Sequence, residues 1–482
     1  MTGLALLLLG FLAIIAARTA LASRKPAIDP LKTANPSVDI AKASAHLGEA
    51  IRLPTISRAA PAGSSDVFAR FHSWLEQSYP HVHAAMRREQ LAGGTLYYNW
   101  SGRDRSLAPI ILMAHQDVVP ADDARRWARP PFEGRNEADA IWGRGAIDDK
   151  SSLVAIMEAA ESLASRGFTP RRGIILIFGH DEEQGGSGAR TAAARLKSQG
   201  VRPWFVLDEG SLVVRDHPVT GQPAAMVGVS EKGYLTVRIV AKSKGGHASA
   251  PPDDSAVATI AKAVTAISQT PFERRYRGAT RQMLETLASE APLTTRLAIA
   301  NPWLFEGLLR DTIGSTPQGA AMLHTTIAPT MLQGASRENI LPSTASVTLN
   351  LRLDPEDSVE TALAHLREGT KDLPVTLEIV GQPQPPSPQA RTDTESYRFL
   401  TRAIQGHFAV PVVPAPVIAM TDGRAMQAIC ANVYRFQPIM LSLDETSMMH
   451  GLDEHISRKD FARMIAFYQS VIKGASAEGL PH

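Results

Sequence analysis

Three apolar runs of strand length, Ile110 to Met113, Ile174 to Phe178 and Phe205 to Leu207, each give way at their C-terminal end to acids and histidines. The residues that follow are His115-Gln116-Asp117, Gly179-His180-Asp181-Glu182-Glu183 and Asp208-Glu209-Gly210. Strands apolar at every position are buried on both faces, which happens where helices cover a largely parallel sheet. One covering helix is legible between the first two runs, where Leu153, Ile156, Met157, Ala160 and Leu163 recur at helical spacing. The expected fold is therefore α/β: a mixed, largely parallel sheet flanked by helices. Ligands of such open sheets collect at the C-terminal strand ends, where these polar clusters stand.

From about residue 232 the pattern changes. Tyr234 to Ala241 alternates with a period of two, as do Val347, Leu349, Leu351 and Leu353, the signature of half-exposed antiparallel strands. Helical stretches around 255–268 and 357–368 make this a separate α+β domain, read as inserted into a main domain built from both ends of the chain. The proline-rich segment Gln382 to Pro388 reads as the hinge back. Two apolar strands follow, Val412 to Ile418 and Val433 to Ile439, and Pro414 and Pro416 confine the first to a sheet edge. The expected divisions are 1–25 as signal or membrane anchor, 26–39 as linker, 40–231 and 385–482 as the two parts of the main domain, and 232–384 as the insertion.

The 482 residues carry 50 Lys+Arg against 48 Asp+Glu, a net charge of +2 that gives no field for nucleic acid. A single cysteine, Cys430, excludes internal disulfides and thiolate-rich zinc modules, so any metal must be held by histidine and carboxylate. Gly3 to Ala17 is an apolar run followed by Arg18, Arg24 and Lys25. It reads as an export signal or membrane anchor, and the expected location is exported or membrane-anchored, outside the cytoplasm.

The chemistry lies in the clusters. His115 and Asp117, two apart at a strand end, leave the same face, so one is placed to bind a metal and the other to orient it. Gly143-Arg144-Gly145-Ala146-Ile147-Asp148-Asp149-Lys150 delivers adjacent carboxylates to a helix start, and fails as a dinucleotide fingerprint because Asp148 stands where glycine is required. Asp181, Glu182 and Glu183 repel one another, a costly arrangement unless a cation offsets it. With Asp208-Glu209 and the turn Met449-His450-Gly451, the chain offers His, Asp, Glu, Asp and His, which suits zinc or a similar divalent ion. Five ligands with one shared carboxylate fit two metals, and an acid beside them is placed to take a proton from water.

The ordered set His-x-Asp, Gly-Arg-Gly-x-x-Asp-Asp-Lys, Asp-Glu-Glu, Asp-Glu-Gly, Gly-Gly-His and a late His-Gly resembles the co-catalytic dizinc peptidases of clan MH, of aminoacylase and carboxypeptidase S type, across about residues 40 to 475. The carboxypeptidase S and secreted N-acyl-amino-acid hydrolase branch is the nearest, through Leu207-Asp208-Glu209-Gly210, Thr421-Asp422-Gly423-Arg424 and Tyr434-Arg435-Phe436. The resemblance implies two zinc ions per chain, with cobalt or manganese as substitutes. It gives His115, Asp148, Glu183, Asp208 and His450 as ligands, Asp148 bridging both ions through a residue joined to Asp149 by a cis peptide. Glu209 stays open as the alternative to Asp208. Asp117 would orient His115, and Glu182 would be the general base. His455 reads as a surface histidine.

In the insertion, His247 resembles the histidine that stabilises the oxyanion, often across a dimer, and Asn339 and Arg352 match the substrate-contacting pair. Arg424 is a further carboxylate-binding candidate. Glycine stands at 423 where relatives more often carry serine, which implies a roomier pocket or an absent contact. The implied activity is zinc-dependent hydrolysis of an amide next to a free carboxylate, in a peptide's C-terminal residue or in an N-acyl amino acid; the alternative is an N-acyl-amino-acid hydrolase/synthase. The implied partners are that small substrate, a homodimer through the insertion and a membrane tether through the N-terminus. Roughly 70 residues between the first lid helix and Asn339 exceed a short lid, and are expected to cover the acyl pocket or block the dimer edge. A catalytically silent metal-binding protein would have lost Glu182 or a ligand, and all are present. A serine hydrolase fails on Gly185-Gly186-Ser187-Gly188, which Ala189 follows in place of glycine.

Overall fold

The computed structural model describes residues 2–24, 28–32, 37–57 and 65–477, so part of the expected 26–39 linker lies outside the described residues. The first helix, α1 (Thr2–Leu21), outruns the apolar stretch to Ala17 because Ala20 and Leu21 continue it past Arg18; its 20 residues are long and apolar enough to cross a membrane. Then come α2 (Ile40–Ile51), α3 (Ser65–Ser78), α4 (Pro80–Ala85), β1 (Arg87–Gln90), β2 (Leu96–Trp100) and β3 (Ile110–His115). A hairpin of β4 (Arg135–Asn136) and β5 (Ala140–Trp142) precedes α5 (Lys150–Ala164), β6 (Ile174–Gly179), α6 (Ser187–Ser198), β7 (Phe205–Asp208), β8 (Val213–Val214) and β9 (Ala224–Glu231). The next region holds β10 (Gly233–Lys242), β11 (Gly246–His247), α7 (Ala256–Gln269), α8 (Gly278–Leu287), α9 (Leu293–Ala300), α10 (Pro302–Ile313), α11 (Pro317–Ala321) and β12 (Thr326–Gln333). It ends with β13 (Ile340–Leu341), β14 (Thr344–Leu353), α12 (Val359–Gly369) and β15 (Val375–Gln384). The chain continues through α13 (Glu395–Phe408), β16 (Val412–Val417), β17 (Val433–Arg435), β18 (Met440–Leu441), β19 (His455–Ser457) and α14 (Arg458–Ala475).

The central sheet runs β1-β2-β6-β3-β7-β17-β9-β8-β18, with β16 added to β9. Its middle is parallel, β3 lying between β6 and β7, and every residue of β3 and β6 is buried. The pleat divides β3: Ile110, Leu112 and Ala114 enter the core shared with α5 and α14, while Ile111 and Met113 pack with Ala189, Ala192 and Leu196 of α6. At about 1.5–3 kcal/mol for each buried aliphatic side chain, this two-sided core fixes where the strands end. The short strand β17 is central, parallel to β7 and antiparallel to β9. The proline-bearing β16 has β9 as its sheet partner, an edge as its prolines require.

A second sheet, β12-β14-β10-β15, is antiparallel and has its own core with α7 and α12. Helices α8 to α10 lie elsewhere. Met283, Leu284, Leu287, Ile299 and Leu309 join the larger core, and α8 covers β16.

A buried histidine, His217, and a half-buried one, His407, make the fold acid-sensitive. Burial pushes His217 down to about 4, and the Val219 N–H donates to its Nδ1, an acceptor only when unprotonated. Burial and the nearby Arg463 hold His407 down to about 4 as well. The unfolded chain takes these protons near pH 6.5, so stability is full above that and is lost as pH falls from 6.5 toward 4, by up to about 3 kcal/mol per histidine. Melting temperature is expected to fall across that window, and less steeply in His217→Gln. Parallel curves for variant and wild type would contradict this.

Candidate metal centre

The C-terminal ends of β3, β6 and β7 bring the polar clusters together. His115 closes β3, buried, with Nδ1 2.9 Å from the carbonyl oxygen of Asp117. That contact takes the Nδ1 proton and leaves Nε2 free, 2.8 Å from Asp148 Oδ1. The Asp117 carboxylate stands beside the same nitrogen, Oδ1 at 3.4 Å, behind its own closer carbonyl oxygen. Its two oxygens also accept the N–H groups of Glu182 and Glu183, each at 3.1 Å. Asp117 thereby ties the metal-facing histidine to the acidic turn after β6.

Asp148 is joined to Asp149 by a cis peptide. Its second oxygen, Oδ2, lies 3.1 Å from His450 Nε2, which is also 3.2 Å from Glu183 Oε1. One carboxylate thus faces two imidazoles, the geometry expected of a bridging group. Among the described residues, two groupings have ligand atoms within 4.8 Å of one another: His115 with Glu182 and Glu183, and Asp148 with Glu183 and His450.

Asp208 and Glu209 diverge. Asp208 Oδ2 accepts the Gly423 N–H at 2.5 Å. A Cβ at position 423 would come 2.9 Å from that oxygen, so glycine here admits a close backbone approach rather than enlarging a pocket. The Glu209 carboxyl is held well above its ordinary value by burial and by the charges of Asp148, Asp149, Asp208 and Glu182.

The charge balance tests whether these residues fit a cation. Burial would depress His115, yet Asp117 and Asp148 hold it well above its ordinary value; hydrogen bonds to Asp148 and Glu183 push His450 up to about 10. Burial raises Glu182 well above the carboxylate range, with Asp422, Asp148 and Glu183 adding to it. Converging buried carboxylates that draw protons onto two imidazoles fit a site made for a divalent ion.

Two supporting residues, Glu454 and Gln437, escaped the sequence reading, and Lys150 stood in its motif without a role. Glu454, fully buried, accepts the N–H groups of Gly145, Ile147 and Asp148 at 3.1, 2.7 and 3.0 Å on one oxygen and Arg144 Nη1 at 2.7 Å on the other. Gly145 takes φ +91 within this wrap. Gln437 Nε2 donates to the Ile147 carbonyl at 2.6 Å and to Asp149 Oδ1 at 3.2 Å. Lys150 Nζ donates to the carbonyls of Ala50 and Leu53. An acid shortly after a His-Gly turn carries no sequence signal separating Glu454 from a surface charge.

The lid residues are not gathered with these. His247 is exposed on β11, its Nδ1 2.7 Å from Ser249 Oγ, and Asn339 accepts the Ala248 N–H nearby. Arg352 sits over the Tyr234 ring at 4.8 Å, near the other end of β14, roughly 27 Å along the strand from Thr344. Arg424 Nη1 donates to the Lys232 carbonyl at 3.1 Å and stands 3.5 Å from Glu231, whose other oxygen holds Arg435. His455 is half-buried and stacked on Trp142 with ring centroids 3.9 Å apart.

The sequence profile of Peptidase family M20/M25/M40 matches residues 111–474. The chain belongs to this family. Among relatives, a probable carboxypeptidase S-like 2 of Dictyostelium discoideum is 34% identical over 411 residues, covering 84% of this chain and 79% of that one. The N-fatty-acyl-amino acid synthase/hydrolase PM20D1 of Homo sapiens is 32% identical over 440 residues, covering 90% and 87%. An M20 metallo-carboxypeptidase, Sso-CP2 from Sulfolobus solfataricus, shares the fold with TM-score 0.67 at 18% identity, over 90% of this chain and 99% of that one. Human carnosine dipeptidase 1 does so with TM-score 0.62 at 14% identity, over 92% and 99%. The expected aminoacylase and carboxypeptidase S kinship is borne out, and this M20 protein is an enzyme of the metallopeptidase and amidohydrolase type.

Proposed function

We propose that this M20 enzyme hydrolyses an amide bond beside a free carboxylate, using two zinc ions held by His115, Asp148, Glu183, His450 and an acid at the end of β7. The observation that carries this reading is the Asp148 carboxylate, one oxygen facing each histidine, with Glu182 alongside. For the fifth ligand we keep Asp208, with Glu209 as the alternative: the Gly423 N–H takes one site on Asp208 Oδ2 and leaves the rest of that carboxylate able to bind a metal. When bound, the ions supply Lewis acidity and lower the pKa of water. Glu182 takes the proton as water oxygen attacks the carbonyl carbon, then delivers it to the leaving nitrogen as the C–N bond breaks. Asp117, gripping the backbone of Glu182, fixes the base against His115.

His247 and Asn339, exposed at the lid end remote from the hinge, fit a site completed by a second copy of the chain, with Arg352 as the nearer carboxylate contact. The length of α1 supports a membrane tether and a location outside the cytoplasm. The test is metal content together with release of free amino acid from N-acyl amino acids, dipeptides and N-blocked dipeptides. Two zinc ions and turnover that chelator abolishes and zinc restores are expected. Release from N-acyl amino acids alone marks an aminoacylase, and release from dipeptides marks a carboxypeptidase. A zinc-loaded protein inert on the whole panel would overturn the reading.

A further inference from the structure

The helical pair α9–α10 carries α1 on its surface. Arg18 Nε donates to the Ala300 carbonyl at 2.9 Å, Asn301 Nδ2 donates to Thr19 Oγ1 at 3.3 Å, and the rings of Phe11 and Trp303 meet edge to face at 5.5 Å. Arg18 marks the end of the uncharged stretch of α1, and Phe11 lies roughly 10 Å further along that helix. If α1 enters a bilayer, the side chain it touches at Phe11 is carried below the interface with it.

The rest of α10's outer face is built for that place. Trp303, Leu304 and Leu308 are 54%, 45% and 58% exposed, and with Gly307 they form one apolar strip over the first two turns. Glu306 on one flank and Asp311 a turn later bound it, and Leu293 at the start of α9 adds a fourth exposed apolar side chain. Exposed leucines with a tryptophan beside a charged margin describe an element lying in the headgroup layer, where tryptophan concentrates. Ala298, Ile299 and Leu309 join the same pair to the main core, so whatever holds α10 also holds the catalytic sheet.

We infer that α9–α10 is a second, non-spanning membrane contact that seats the catalytic domain on a lipid bilayer beside α1. This inference rests on the tether reading of α1, and the experiment separates them. Full-length protein is reconstituted into phosphatidylcholine vesicles with dibrominated acyl chains, which quench tryptophan on contact. Flotation with the vesicles reports α1; emission reports α10, since Trp303 is the exposed one among 6 tryptophans while Trp100, Trp127 and Trp204 are buried. Co-flotation is expected, with at least twofold more quenching in wild type than in Trp303→Phe, a change that keeps an aromatic ring against Phe11. No flotation overturns the tether and the seat together. Flotation with equal quenching in both proteins overturns the seat alone, and a detergent-stable dimer in that case would show a second copy covering α10.

Discussion

Glu182→Gln is expected to lower turnover by about 10²- to 10⁴-fold while leaving zinc content and melting temperature at wild-type values. The turn that carries Glu182 is set by its backbone, whose N–H groups are held by Asp117, and glutamine leaves those bonds in place. The change removes one negative charge from a crowd that already pushes the Glu182 carboxyl above its ordinary range through burial and neighbouring acids, so the folded state has nothing to lose electrostatically. Steady-state rates on the best panel substrate and metal analysis of the same sample decide the matter. A variant as fast as wild type would remove Glu182 as the base; one that loses metal would make it a ligand.

Glu454→Ala should do the reverse, damaging the fold and the metal site at once. Its carboxylate neutralises Arg144 and gathers three N–H groups of the Gly143–Asp149 loop. Removing one member of a buried pair strands the other, at a cost of about 3–5 kcal/mol, and frees the backbone that aims Asp148. The expected result is a lower denaturation midpoint with zinc content well below wild type, and Glu454→Gln should fall between the two because it keeps an acceptor but no charge. Wild-type stability and metal content in the alanine variant would show that the loop holds itself.

The strands that carry the centre were legible because burial on both faces leaves a run with no polar residue, and the acids and histidines then mark where each run stops. His115, Asp148, Glu182, Glu183 and His450 do converge at those ends. What escaped was held by contacts that leave no local pattern. Glu454 works through backbone N–H groups about 300 residues away in sequence. Arg424 reads from the sequence as a candidate for a substrate carboxylate, and only the packed hinge reveals Glu231 beside it. Likewise the amphipathic spacing of α8 says that one face is buried but not that the partner is β16 rather than the lid.

The position of β17 has a consequence for how the protein is made. Three residues near the C-terminus occupy the slot between β7 and β9, which the ribosome finishes some 200 residues earlier. Until they arrive, β7 presents an unpaired edge of apolar strand, a template for aggregation, and the nascent chain has long-range pairings still to close. A chain cut short between residues 231 and 433 therefore keeps β7 and β9 but leaves the slot between them empty in the middle of its sheet. Such fragments should be insoluble even though they retain most of the metal ligands.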